Sequence, residues 1–77
     1  MITHVAVIID GEVVSMPKPA RHHEILHKFP RANHNQGPQG FIDDKEGFVG
    51  RRRAATLAME ADQIEEINRP LYSEDLW

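Results

Sequence analysis

The apolar positions of this chain change their spacing from one stretch to the next, and those changes outline its elements. Thr3 to Ile9 is a nearly unbroken run of β-branched and apolar residues, which predicts a strand. Asp10-Gly11 supplies the two residues that a tight hairpin turn favours, so Glu12 to Met16 is expected to return antiparallel. Pro17 and Pro19 end that return, because proline has no N–H for a ladder. Pro19 is placed to open a helix over Ala20–Phe29, with Ile25, Leu26 and Phe29 as its apolar face and Pro30 as its stop. Asn33 to Pro38 is a polar loop rich in turn formers. Gln39–Ile42 and Phe48-Val49 read as short strands around the acidic turn Asp43–Gly47.

A second helix is predicted from Arg51 to about Asn68. Ala54, Leu57, Ala58, Ala61 and Ile64 recur at three- and four-residue steps and form its apolar face. Arg52, Thr56, Glu60, Gln63 and Glu66 fall on the wet side. Its charges oppose the macrodipole, with Arg51, Arg52 and Arg53 in the first turn and Glu65 and Glu66 in the last. Each exposed charge so placed costs ~0.3–1 kcal/mol. No acidic residue lies three or four positions after any of the arginines to offset this. A bound anion would complete the cluster, because guanidinium forks and free N–H groups would share one ligand. A solvated cluster paired with Asp43, Asp44 or Glu46 across the turn fits the same residues.

Composition narrows the class. A chain of 77 residues permits one domain, 1–77, with a thin core. At this size only about 60% of the unfolded surface is buried, and oligomerisation is a common remedy. The absence of cysteine removes disulfides and thiolate metal sites. No apolar run approaches the roughly 20 residues of a membrane span. No basic stretch followed by an apolar block marks a signal peptide, so a cytoplasmic protein with no membrane partner is expected. The net charge of −3 hides an asymmetry: residues 21–53 hold seven Lys/Arg against four Asp/Glu, and four of the five histidines. A cationic centre in an acidic chain points to a small anionic ligand rather than to long nucleic acid, which wants a broad basic face.

Arg21-His22-His23 repeats the basic logic at the start of the first helix, so two such clusters can clamp two phosphates, or one from each of two subunits. Exposed, titrating histidines are the plainer reading of the same residues. Phe41 and Phe48 flank the acidic turn, where a ring beside an arginine can stack a nucleobase or simply pack the ribbon. His23-Glu24-Ile25-Leu26-His27 matches the zinc protease pattern, which sets two imidazoles one helical turn apart with a carboxylate as general base. That helix is short, Pro30 stops it soon after, and only His34 lies nearby as a third ligand. A zinc hydrolase built on His23, Glu24 and His27 is therefore the alternative, and no metal or catalytic residue is assigned. The tail Leu71–Trp77 holds the only Tyr and the only Trp, and is expected to dock on its own domain or on a neighbouring subunit.

Several of these segments together resemble a group of small phage proteins that includes the Thoeris anti-defence sponges. They are Arg21-His22-His23-x-Ile25-Leu26, Gln39-Gly40-Phe41, Phe48-Val49-x-Arg51-x-x-Ala54-Ala55, Gln63-Ile64 and Leu71-Tyr72-Ser73-Glu74-Asp75-Leu76-Trp77. The resemblance covers Arg21 to Trp77. It implies a non-catalytic protein that binds cyclic ADP-ribose isomers, or cyclic oligonucleotides, between subunits and leaves them intact. Position by position, it implies pocket roles for Arg21, His22, Phe48 and Arg51. Gly50 and Arg53 depart from the Asp and Glu of that pattern.

The expectation is thus an α+β domain with a small antiparallel sheet and two helices on one face. Its expected function is sequestration of a small phosphorylated nucleotide by a phage protein acting in the host cytoplasm, with no cofactor and no enzymatic step. The ligand-binding residues expected are Arg21, His22, His23, Phe41, Phe48, Arg51 and Arg52, in a homodimer or higher homo-oligomer. A protein-binding inhibitor of a host enzyme is the third reading.

Overall fold

The computed structural model describes residues 1–28 and 36–77. The expected packing of Phe29, the stop at Pro30, the first part of the polar loop at Asn33 and the neighbouring His34 lie outside the described residues. Strands β1 (Ile2–Ile9), β2 (Glu12–Pro17), β3 (Gln36–Asp43) and β4 (Gly47–Gly50) form one antiparallel sheet in the order β2-β1-β3-β4. Helices α1 (His22–Lys28) and α2 (Arg51–Glu60) and the short α3 (Ser73–Leu76) complete the chain. The α+β class with a small antiparallel sheet and two main helices is what the sequence pattern predicts.

The hairpin turns on Asp10 (φ 52°) and Gly11 (φ 82°), the paired left-handed conformations that a two-residue turn requires. Pro17 closes β2 and is tolerated because β2 is an edge strand. Pro19 does not open the helix as expected. The Ala20 N–H turns back to the Pro17 carbonyl at 3.1 Å, and α1 begins only at His22, with Glu24 accepting the Arg21 main-chain N–H.

Register sorts the faces. Val5 pairs with Met16 and Phe41, and Phe41 pairs with Val49, so these side chains share the face covered by the helices. Between Ile2 and His4 the β1–β3 register slips by one residue, a bulge that turns Ile2 onto that same face beside Val5 and Val7. Ile25 from α1, Ala54, Ala55, Leu57 and Ala58 from α2, and Leu71 from the tail close the core over them. The alanines let α2 approach the sheet closely. The opposite face carries Ile8, Ile42 and Phe48, partly exposed, with Val13 at 49%.

The second helix is shorter than its apolar periodicity suggests. It stops at Glu60, with the Asp62 N–H bonded to the Met59 carbonyl at 3.1 Å and the Gln63 N–H to the Ala58 carbonyl at 2.8 Å. That pair is a Schellman closure, with Asp62 at φ 57° in the place usually taken by glycine. Glu65 and Glu66 therefore lie beyond the helix and do not load its C-terminus. Gln63, expected on the wet side, instead bonds both main-chain groups of Ile2, at 2.6 and 2.9 Å.

Candidate functional site

The two basic clusters meet at one end of the sheet, on the helix side of β3. His22 is buried, and its Nε2–H donates to the Gly40 carbonyl at 2.7 Å. Its ring meets Phe41 edge-on, with centroids 4.9 Å apart. Burial pushes the His22 pKa below its ordinary 6.5 and the Arg51 charge lowers it further, against the Gly40 hydrogen bond and Glu74, which raise it. The ring is thus held neutral. One residue along β3, the Gln39 side-chain oxygen accepts from the Arg51 guanidinium, which also donates to the Leu71 carbonyl at 3.2 Å. Arg21 donates through Nε and Nη2 to the Trp77 main-chain oxygen at 3.2 and 2.8 Å.

The docked tail supplies the acceptors for both arginines. The Leu71 N–H returns to the Arg51 carbonyl at 3.1 Å, Leu71 is wholly buried, and the Trp77 indole N–H donates to the Ala20 carbonyl at 2.6 Å. Tyr72 stays 46% exposed, with the Arg51 guanidinium 4.9 Å from its ring centroid and the Arg69 guanidinium at 5.4 Å. Arg69 is fixed by a two-pronged pair to Asp75 at 2.8 and 2.6 Å, which holds the Asp75 carboxyl below its usual range.

The remaining expected residues fall elsewhere. Phe41 is fully buried in the core, which corrects its expected role as a stacking ring. Phe48 faces the other side of the sheet, over Gly40, away from His22 and Arg51. The ring beside the arginines is instead Tyr72, which the sequence pattern assigned to tail packing. His23 is exposed on α1, and Arg52 is exposed on the flank of α2. Arg53 pairs with Glu46, its Nε 3.1 Å from Oε1, as the solvated reading of the triplet foresaw for that residue. Asp43 and Asp44 turn the other way and hold the Met1 ammonium at 2.8 and 2.9 Å. Of the two further residues in contact with the cluster, Gln39 stood out only as part of the Gln39-Gly40-Phe41 segment and Arg69 in no pattern.

His23, Glu24 and His27 line an open depression of about 640 Å³ with Met16 and Leu26. Among the described residues no three or more His, Asp or Glu side chains are arranged to hold a metal. Among them also, no helix is long and apolar enough to cross a membrane.

The arrangement at the end of β3 is cationic, rimmed by an exposed aromatic ring, and built from hydrogen-bond donors. Such donors can accept an anion as a hydrogen-bond partner. A family model described as phage T4 y16D protein matches residues 1–77. No curated protein and no solved structure matches the chain. The family match names a phage protein and neither a sponge nor a ligand.

Proposed function

The chain belongs to that family of phage proteins, and on this premise we propose that it binds a small phosphorylated nucleotide without chemical change, as an anti-defence sponge for a host immune signal. One observation carries the reading. In a chain with more acidic than basic residues, the guanidinium groups of Arg51 and Arg52 have no carboxylate within 4.0 Å among the described residues, whereas those of Arg53 and Arg69 do and that of Arg21 is held by the main-chain oxygen of the last residue, Trp77. Arg51 and Arg52 are two of the positions expected to bind ligand. Their positive charge is left for an external anion, and a neutral carbonyl and an amide oxygen hold Arg51 in place meanwhile.

In this reading Arg21 and Arg51 take phosphate oxygens and the exposed Tyr72 ring stacks a base. Neutral His22 fixes the floor through Gly40. Phe48 and the apolar outer face of the sheet contribute through a second subunit, in keeping with the expected homo-oligomer.

Native mass spectrometry of gently purified protein tests this, with cyclic ADP-ribose isomers and cyclic oligonucleotides added in turn. An oligomer that gains the mass of the intact nucleotide, recovered unchanged after denaturation, is the expected result. A cleaved product would refute sequestration. No mass gain with any of these nucleotides would refute the ligand class and turn attention to a protein target.

A further inference from the structure

The helices cover one face of the sheet, and register places the side chains of the other in rows across the strands. Val13 and Ile8 stand in one row, and His4, Ile42 and Phe48 in another. Between them Ser15, Ala6 and Gly40 form a row of small residues, a trough with the Phe48 ring leaning over its Gly40 end. Val13 is 49% exposed, Ser15 is exposed, and Ile8, Ile42 and Phe48 are partly so.

None of these rows contains Asp, Glu, Lys or Arg, although such residues make up 27% of the chain. That absence decides the kind of partner. An acidic or basic partner would be met by charges of the opposite sign, and these rows offer none. A second copy needs the reverse. In a two-fold contact each residue meets its own symmetry equivalents, so a charge near the axis would face itself. Each copy carries a net charge of −3, and this face lets two copies approach without setting like charges against each other.

The size of the face agrees. β1 runs for eight residues and the edge strands for fewer. At ~3.3 Å per residue and ~4.8 Å between strands, the sheet spans about 400 Å² of plane. Side-chain relief raises the accessible area above that figure, so two faces in contact approach the roughly 1,000 Å² at which specific interfaces begin. An interface at this lower limit belongs to a dimer that exchanges with its monomer.

We infer that the outer sheet face is the contact surface of a homodimer in which two copies pack sheet against sheet, the larger rows of one seated in the trough of the other. The pair is a four-layer stack, with the sheets about 10 Å apart and the helices outermost. The arginine cluster lies on the helix side of β3 and stays outside the contact, so Phe48 serves as an interface residue. The inference does not depend on the nucleotide reading; it gives the second subunit of that reading its place.

The test is sedimentation velocity of the full chain from micromolar to millimolar concentration. Val13→Lys and Ser15→Lys put a charge on the face at exposed positions of an edge strand, where lysine is well tolerated. Thr56→Lys adds the same charge at an exposed position of α2. The parent is expected to pass from monomer to dimer as concentration rises. Val13→Lys and Ser15→Lys should weaken the dimer about tenfold or more, and Thr56→Lys should leave it unchanged. In a mixture of differently labelled copies, nuclear Overhauser contacts should join Val13 and Ile8 of one copy to Ile42 and Phe48 of its partner; these decide the matter alone if a lysine variant does not fold. A parent that stays monomeric throughout overturns the inference. So does a dimer whose intermolecular contacts lie elsewhere, or one that neither lysine on the face weakens. A dimer that takes up none of the nucleotides leaves the inference standing and removes the nucleotide reading; a monomer that binds one intact does the reverse.

Discussion

Gly40 and Gly50 face each other in the β3–β4 register, yet substitution at the two is expected to move stability in opposite directions. A methyl group added at Gly40 would sit 2.2 Å from the Val49 carbonyl oxygen and 2.9 and 3.1 Å from two carbons of the Phe48 ring. The ring can swing aside, but the carbonyl belongs to the partner strand. To restore an ordinary contact, β4 must move by roughly 1 Å. Overpacking of this kind costs about 1–3 kcal/mol. For a domain of this size, 1 kcal/mol lowers the melting temperature by about 4–8 °C, so Gly40→Ala should melt about 10 °C below the parent. The shift also disturbs the Gly40 carbonyl that receives His22. Gly50 meets the opposite conditions: nothing lies within 4 Å of its added methyl, its φ of −70° suits any residue, and it caps α2 with no side-chain bond. Gly50→Asp adds a cap worth a few tenths of a kcal/mol and a carboxylate at a positive helix end worth ~0.3–1 kcal/mol. Its melting temperature should rise by about 4–8 °C. Thermal unfolding by circular dichroism, with amide exchange at the β3–β4 pairs, measures both. A Gly40→Ala protein that melts with the parent and keeps those amides protected would refute the close approach, and with it the account of why β3 is glycine there.

Three further outcomes follow from the packing. His22 has its pKa lowered by burial, so its contribution to stability is complete above pH 6.5 and is lost as the pH falls through the depressed folded value. His22→Gln should flatten the pH dependence of urea unfolding in that window, and an unchanged slope would count against a buried neutral ring. Asp43 accepts from the Met1 ammonium first, then from the Lys45 and Glu46 N–H groups, which pull its pKa from 3.8 to about 2. Its contribution is present above pH 3.8 and disappears as the pH falls through about 2, so Asp43→Asn should lose stability at neutral pH and show a shallower acid transition. Leu71→Ala removes a wholly buried side chain and should cost about 2–5 kcal/mol by urea unfolding; a cost below about 0.5 kcal/mol, within the usual range for surface substitutions, would mean that the tail is not docked.

The hairpin was legible because its signals are local. Asp10-Gly11 specifies its own backbone, and the apolar run before it names the central strand without reference to anything distant. The end of α2 was not legible for the same reason inverted. Ala61 and Ile64 keep the helical spacing, so periodicity carries the helix past the point where Asp62 turns left-handed. What holds the chain there is Gln63 on the main chain of Ile2, sixty-one residues away in sequence, a contact that no local pattern encodes. The pairing of β1 with β3 across the first helix, and the bulge that rotates Ile2 into the core, are likewise products of long-range register.

The arginine triplet shows how far a dipole argument reaches. Read along the chain, three cations at one helix end and two acids at the other made a single electrostatic anomaly. In the fold the acids leave the helix, Arg53 finds Glu46, and Arg51 finds Gln39, a carbonyl and a ring. Of the three, Arg52 alone has no polar partner among the described residues. The better discriminator is which guanidiniums lack a carboxylate, because a neutral carbonyl satisfies geometry without cancelling charge. By that criterion Arg51 belongs with Arg52 among the described residues, while Arg53 and Arg69 do not, and Arg21 rests on the main-chain oxygen of the last residue, Trp77. Hydrogen bonds from a guanidinium to a phosphate are roughly twice as strong as neutral ones, so in the proposed function a phosphate competes with the Leu71 carbonyl that now occupies Arg51. In that proposal the tail positions the Arg51 guanidinium through the Leu71 carbonyl and the Tyr72 ring, so the same seven residues would serve both the packing and the site.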